Sequence, residues 1–174
     1  VLREDGTPVE PGSGEVGVLA RSGHVPLRYH NDPEKTRSSY NRHGWSTLGD
    51  VGWVDEDGYL YLTDRKSFMI ISGGVNIYPA EIEAELIRMP GVADCAVFGV
   101  PDEEFGEQLL AVVQPEPGAE IAAADVQAFI RSKMAGYKVP KRVEFQSDLP
   151  REDSGKIFKR KLRAAFWEGQ GRAI

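Results

Sequence analysis

Val92-Ala93-Asp94-Cys95-Ala96-Val97-Phe98-Gly99-Val100 and Gln108-Leu109-Leu110-Ala111-Val112-Val113-Gln114 decide the fold. They are two short runs rich in Val, Leu and Ala, separated by the polar loop Pro101-Asp102-Glu103-Glu104-Phe105-Gly106-Glu107. Apolar runs of this length read as strands, and the link between them lets the strands pair. Upstream, Phe68-Met69-Ile70-Ile71 is another strand candidate and Ser72-Gly73-Gly74 a loop, with Pro79 where a first helical turn tolerates it. In the helix that follows, Glu81 and Glu83 suit the positive end of the dipole. Ile82, Leu86 and Met89 share one face, and Pro90-Gly91 ends it. Downstream, Asp125 to Met134 reads as a helix with Val126, Phe129, Ile130 and Met134 on its apolar side and Gly136 just past its end. Val143 and Phe145 suggest a short strand. A last helix from about Phe158 is expected to turn Phe158, Leu162, Ala165 and Phe166 inward, with Lys159, Arg160, Lys161 and Arg163 around the other side.

Before Asp64 the pattern is different. Short strand-like pieces, among them Val16, Val18 and Tyr59-Leu60-Tyr61-Leu62, are broken by turn signals at Asp5-Gly6, Pro11-Gly12-Ser13-Gly14, Arg21-Ser22-Gly23, Asn31-Asp32-Pro33 and Asp57-Gly58. Helix is scarce there, and the turn spacing suggests a small barrel-like or meander layer. The expected fold class is therefore α+β: a small β-rich, distorted barrel-like subdomain over residues 1–63, then an α/β domain over 64–174 with a short sheet flanked by helices. The first segment begins mid-pattern with no helix to cover a sheet, so it is expected to be incomplete, the end of a larger domain lying upstream.

The chain has 174 residues, 41% of them hydrophobic and 28% charged, enough to bury a core and too apolar for disorder. No apolar run approaches the roughly 20 residues of a membrane helix, and the start carries no signal-peptide pattern, so a cytoplasmic protein without a membrane span is expected. Its single cysteine, Cys95, excludes an internal disulfide and lies in an apolar stretch that favours an inert core thiol. The net charge of -6 is uneven: residues 130–174 carry 12 basic and 5 acidic side chains. A solvated helix face and a nucleic-acid surface are the general explanations of such a cluster, and neither accounts for the phosphate-sized motifs beside it.

Four motifs follow in fixed order: Gly44-Trp45-Ser46-Thr47-Leu48-Gly49-Asp50, Asp64-Arg65-Lys66, Ser72-Gly73-Gly74-Val75-Asn76-Ile77-Tyr78-Pro79-Ala80-Glu81-Ile82-Glu83, and Leu149-Pro150-Arg151-Glu152-Asp153-Ser154-Gly155-Lys156. At these residues the chain resembles the carboxy-terminal portion of the adenylate-forming (AMP-binding) acyl-CoA synthetase superfamily, and is most similar to its fatty-acyl and aryl CoA ligases. The resemblance covers nearly the whole chain in one register, which makes it far more specific than a lone Gly-rich loop.

The resemblance implies an AMP-forming acid–thiol ligase of the long-chain fatty-acid type, using ATP with Mg and CoA. A carboxylate attacks the α-phosphate of ATP, and the thiol of CoA then displaces AMP. Two anions must meet in the first step, so a positioned cation is needed where charge develops. Taken alone Lys156 is a lysine in a turn; the resemblance makes it the adenylation lysine, with Gly155 allowing close approach. It likewise assigns Asp50 to the ribose, from a turn after Gly49, with Arg65 as a second ribose or phosphate contact, Tyr61 near the nucleotide and Asn76 at the adenylate. Asp64, Lys66 and Ser67 form the hinge of a mobile cap over residues 64–174. Gly73 and Gly74 line the thiol path, Phe105 and Tyr137 meet the CoA adenine, and Lys141 meets a CoA phosphate.

The chain departs from the family at Leu48, where a threonine is usual. It also departs at Ser67 and Phe68, where charged residues are common, and at Val139, where a relative has arginine. Phe68 is expected to pack against the domain interface. The phosphate loop and acyl pocket of the family are missing from these residues, so the chain alone is expected to be inactive, its carboxylic acid substrate held by an upstream domain. The alternatives are an adenylation domain loading a carrier-protein pantetheine and a non-catalytic module binding nucleotide or a partner. No metal ligands and no nucleic-acid partner are expected, and the sequence is compatible with an oligomer.

Overall fold

A computed structural model describes residues 1–168 of the chain; residues 169–174, which the expected second domain includes, lie outside them. The chain divides into two compact units between Ser67 and Phe68.

The first unit holds β1 (Gly17–Arg21), the short helix α1 (Pro33–Ser38), β2 (Ser46–Val54) and β3 (Leu60–Arg65). The strands form an antiparallel row in the order β1-β2-β3. Asp32 caps α1 by accepting from the backbone N–H of Lys35 at 2.8 Å, and Pro33 begins it. The strand β2 was not anticipated. Its residues Thr47-Leu48-Gly49-Asp50 have turn-like composition and form an irregular stretch of the strand: Thr47 pairs with Ala20 of β1 and Asp50 with Arg65 of β3, while the β1–β2 register shifts between them and Gly49 takes φ 79°. Asp50 consequently lies on a strand rather than in a turn. Because β3 continues through Asp64 and Arg65, which pair with Val51 and Asp50, the units divide beyond the change in composition at residues 63 and 64.

The second unit holds β4 (Ile70–Ser72), β5 (Val75–Ile77), α2 (Pro79–Leu86), β6 (Val92–Asp102), β7 (Gly106–Pro115), α3 (Ala123–Lys133), β8 (Arg142–Phe145) and α4 (Lys159–Trp167). The sheet runs β5-β4-β7-β6, and β8 pairs in parallel with β7 over Leu110 to Val113. Most of the loop expected at 101–107 is strand: β6 and β7 pair up to Asp102 and Gly106, leaving a tight turn at residues 103–105.

Strand alternation explains why both runs are continuously apolar. Cys95, Val97, Leu109, Ala111 and Val113 face a cluster covered by Ile82 and Leu86 of α2 and Val126 and Ile130 of α3. Phe98, Val100, Leu110 and Val112 face a second cluster with Leu149, Ile157, Leu162 and Phe166. A hairpin covered on both faces needs apolar residues at every position. The Lys156 loop and α4 therefore belong to the face opposite α2 and α3.

Several local expectations change. The strand expected at Phe68 starts at Ile70, because Lys66–Phe68 is a single 3-10 turn. The helix expected to reach Met89 ends at Leu86, and turns from Met89 N–H to Leu86 O and Val92 N–H to Met89 O take the chain into β6. Ser72-Gly73-Gly74 makes the expected loop, with Gly73 and Gly74, at φ 56° and 79°, as the two-residue turn of a hairpin, but the strand β5 that this turn leads into before α2 was not expected. Phe158, the N-cap of α4, and Ala165 on the helix are exposed while Trp167 is buried, its indole N–H donating to Gly99 O at 3.0 Å. Lys159 and Arg163 are not solvated: each lies largely buried beside a carboxylate, Glu83 and Glu107 respectively.

Candidate active site

In the first unit Asp50 and Arg65 are directly opposed across β2 and β3, with Arg65 Nε 3.3 Å from Asp50 Oδ1. Gly49 before it has φ 79°, a conformation that a β-carbon would strain. The Asp50 carboxylate is part-exposed, so it can accept from a pair of hydroxyls while its charge stays balanced. Tyr61 stacks on Trp53, its cross-strand neighbour, at 4.4 Å between ring centroids. Its hydroxyl donates to Asp55 Oδ2 at 3.0 Å, a bond that raises the phenol above its ordinary value. Asp64 accepts from the backbone N–H of Arg65 at 2.7 Å, and Lys66 Nζ lies 3.5 Å from Glu4 Oε1. Ser67 closes this unit within the 3-10 turn.

In the second unit Lys156 sits at the end of a tight turn. Arg151 and Ile157 form an antiparallel bridge, Gly155 N–H donates to Glu152 O and Glu152 N–H to Lys156 O, both at 2.8 Å. Gly155 takes φ 83°, which the closure demands and glycine supplies without penalty. Leu149, 1% exposed, and Ile157 root the turn in the second core cluster. The Lys156 side chain is exposed and has no hydrogen bond or ion pair among the described residues. A braced backbone carrying a free ammonium on a flexible stem can deliver a positive charge to an anion.

Four of the five residues expected at CoA form one contact chain. Gly73 N–H donates to Phe105 O at 2.9 Å, and a β-carbon on Gly73 would come within 3.0 Å of the Phe105 ring. Lys141 Nζ lies 4.1 Å above the centre of that ring and 3.8 Å from Asp102 Oδ2, and Gly74 completes the Gly73 turn. Asp102, which no sequence motif marks, holds the Phe105 turn by accepting from the backbone N–H groups of Glu104 and Phe105 at 3.1 and 2.9 Å. No hydrogen bond or ring interaction among the described residues joins Tyr137 to this group. It lies exposed in the 3-10 turn Gly136–Lys138, whose Lys138 pairs with Glu81. Asn76 is exposed on β5 opposite Ile71.

Two buried ion pairs were also missed. Glu83 Oε1 accepts from the backbone N–H of Val97 at 2.6 Å while Oε2 accepts from Lys159 Nζ at 2.7 Å, and that ammonium lies 5.2 Å from the centre of the Phe68 ring. Glu107, 1% exposed, stands 3.9 Å from Arg163. The signal available was only that acidic residues at 83 and 107 adjoin apolar runs. Among the described residues no group of three or more His, Cys, Asp or Glu gathers to hold a metal, and no helix is long and apolar enough to cross a membrane.

A strand pair bearing Asp50 and Arg65, followed by an α/β unit bearing a lysine on a braced turn, defines a class. Residues 81–156 match the family model of the AMP-binding enzyme C-terminal domain, and the chain belongs to the adenylate-forming, AMP-binding superfamily as its carboxy-terminal portion. It is 50% identical over 162 residues to a feruloyl-CoA synthase of Amycolatopsis sp, covering 92% of this chain and 32% of that protein. It is 42% identical over 166 residues to the long-chain-fatty-acid–CoA ligase FadD13 of Mycobacterium tuberculosis, covering 95% and 32%. The crystal structure of ATP-bound MatB from Rhodopseudomonas palustris superposes with TM-score 0.86 at 37% identity, over 98% of this chain and 34% of that one. The chain thus spans about a third of the length of the relatives it matches.

Proposed function

We propose that the chain is the carboxy-terminal part of an ATP-dependent acyl-CoA ligase in which Lys156 drives adenylation. The observation that carries this is the Lys156 turn: a backbone braced by two hydrogen bonds, rooted in the core at Leu149, and presenting an ammonium without a partner among the described residues. The carboxylate oxygen of the acid bonds to the α-phosphorus of ATP and the bond to pyrophosphate breaks. Lys156 stabilises the charge that develops on the phosphoryl oxygens. The thiolate of CoA then adds to the acyl carbonyl and AMP leaves with the bonding pair. Asp50 and Arg65 hold the ribose, Tyr61 borders the nucleotide and Asn76 meets the adenylate. Asp64, Lys66 and Ser67 are the hinge residues. ATP enters with Mg, whose ligands belong mostly to the remainder of the longer protein, together with the acid pocket. Gly73, Gly74, Phe105, Tyr137 and Lys141 receive CoA.

Relatives named for feruloyl and for long-chain fatty acyl groups match the chain almost equally, so these residues supply what the two share rather than the choice of acid. Residues 1–63 are read as the last, barrel-like piece of the large domain and 64–174 as its mobile cap. Exposed Leu60 and Leu62 on β3 fit that view, since a strand face of this kind is ordinarily covered. The chain alone is then inactive, and the enzyme cytoplasmic.

The test is Lys156→Ala in the longer enzyme. Acyl-AMP formation should fall by on the order of 10²- to 10³-fold while thioester formation from supplied acyl-AMP persists. Unchanged adenylation refutes the assignment.

A further inference from the structure

We propose that Arg151 is a positioning residue for adenylation, clamping the Lys156 turn to Asp94 of β6 and so fixing the direction in which Lys156 leaves it. The inference rests on reading Lys156 as the adenylation lysine.

The turn has three kinds of restraint, and each does something different. Its internal hydrogen bonds, from Gly155 to Glu152 and from Glu152 to Lys156, set its shape. Leu149 and Ile157, with Phe158 N–H donating to Pro150 O at 2.7 Å, fasten its base to the core. Neither restraint determines how the turn is angled against the sheet. That falls to Arg151, which donates from one terminal nitrogen to Gly155 O at 3.0 Å and from the other to Asp94 Oδ2 at 2.6 Å. The two bonds come from one rigid plane, so the carbonyl next to Lys156 and a strand residue far away in sequence are held at a fixed separation and angle.

Asp94 is prepared for this. Its other oxygen, Oδ1, accepts from the backbone N–H of Cys95 at 2.9 Å, and the β6–β7 register shifts between Val92 and Asp94. The carboxylate is thus oriented by its own strand before it meets the guanidinium. Both side chains are part-exposed, so the clamp contributes direction rather than stability: one charge-assisted bond to Asp94 and one bond to the Gly155 carbonyl from the same plane. A lysine in place of Arg151 keeps the charge and loses the fork.

Arg151→Lys and Asp94→Asn, made in the longer enzyme, test the clamp in each half-reaction separately. Acyl-AMP formation, followed by pyrophosphate release, should fall in kcat on the order of 10- to 100-fold, with KM for ATP and for the acid nearly unchanged. Thioester formation from supplied acyl-AMP should stay within about twofold, because Lys156 is not used in it. Wild-type adenylation in Arg151→Lys overturns the clamp, and so does an equal fall in both half-reactions, the mark of a purely structural role. Lys156→Ala run alongside separates the two ideas. Loss there with none in Arg151→Lys refutes the clamp alone, whereas no loss in Lys156→Ala refutes the reading beneath it.

Discussion

Cys95, the single cysteine of the chain, makes the closure of the second unit measurable. It is 5% exposed on β6, beneath α2, with Sγ 3.8 Å from Glu83 O. Burial, then the carboxylates of Glu83 and Asp94, push its thiol from an ordinary value of 9.0 up to about 12, and Lys159 only partly offsets them. The thiolate is the species that attacks an alkylating reagent. At pH 8 a thiol near 12 is ionised to about one part in 10⁴, against about a tenth for an unperturbed one, so charge alone slows alkylation by on the order of 10³. Iodoacetamide labelling at pH 8, read by mass, with and without urea, should show that ratio or a larger one, since burial also blocks access. A native rate within tenfold of the unfolded one refutes the environment described. The same shift sets a pH dependence. Below about 9 both states keep the proton and stability is unaffected. As the pH rises further the unfolded thiol ionises first, so stability falls by up to about 1.4 kcal/mol per pH unit until the folded thiol ionises near 12.

Gly99→Ala should destabilise the second unit. Its β-carbon would lie 2.0 Å from Glu107 Oε2 and 3.1 Å from Ile70, forcing a buried carboxylate to move, for a loss of about 1–3 kcal/mol in urea denaturation. A change below about 0.5 kcal/mol contradicts the packing. In the longer enzyme Lys141→Ala should raise KM for CoA roughly threefold to tenfold with adenylation unchanged, the scale of one part-exposed phosphate contact. An unaltered KM removes Lys141 from the CoA surface.

What the sequence revealed, and what it hid, follows from the range of the interactions. β6 and β7 were legible because cover on both faces writes apolar residues at every position, a local signal. β2 was hidden because Gly49 and Asp50 satisfy turn chemistry locally: Gly49 takes φ 79° at an irregularity in the strand, and the ladder is carried by long-range pairs on either side of it, Thr47 with Ala20 and Asp50 with Arg65. The charges of α4 looked solvated for the same reason: periodicity gives a residue its face but not its partner. Lys159 meets Glu83 and Arg163 meets Glu107 across long separations in sequence. At the candidate site, the residue types at Lys156, Asp50 and Phe105 could be recognised from motifs. Arg151–Asp94 and Asp102–Lys141 could not, since nothing local marks either pair.

These pairings also change the meaning of the basic excess near the C-terminus. Lys138, Lys141, Arg142, Arg151, Lys159 and Arg163 stand against Glu81, Asp102, Glu144, Asp94, Glu83 and Glu107, all in the same unit. A nucleic-acid footprint requires cations free to neutralise a row of phosphates, and much of this charge is already neutralised at home. Of the cations left without a partner among the described residues, Arg160 and Lys161 lie on α4 and Arg131 and Lys133 on α3, where solvent is the ordinary fate of such side chains. Lys156 differs from them in its setting. Its turn needs a positive-φ glycine, two internal hydrogen bonds and a buried leucine at its root. Under the function proposed above, that structure presents the ammonium to an external anion.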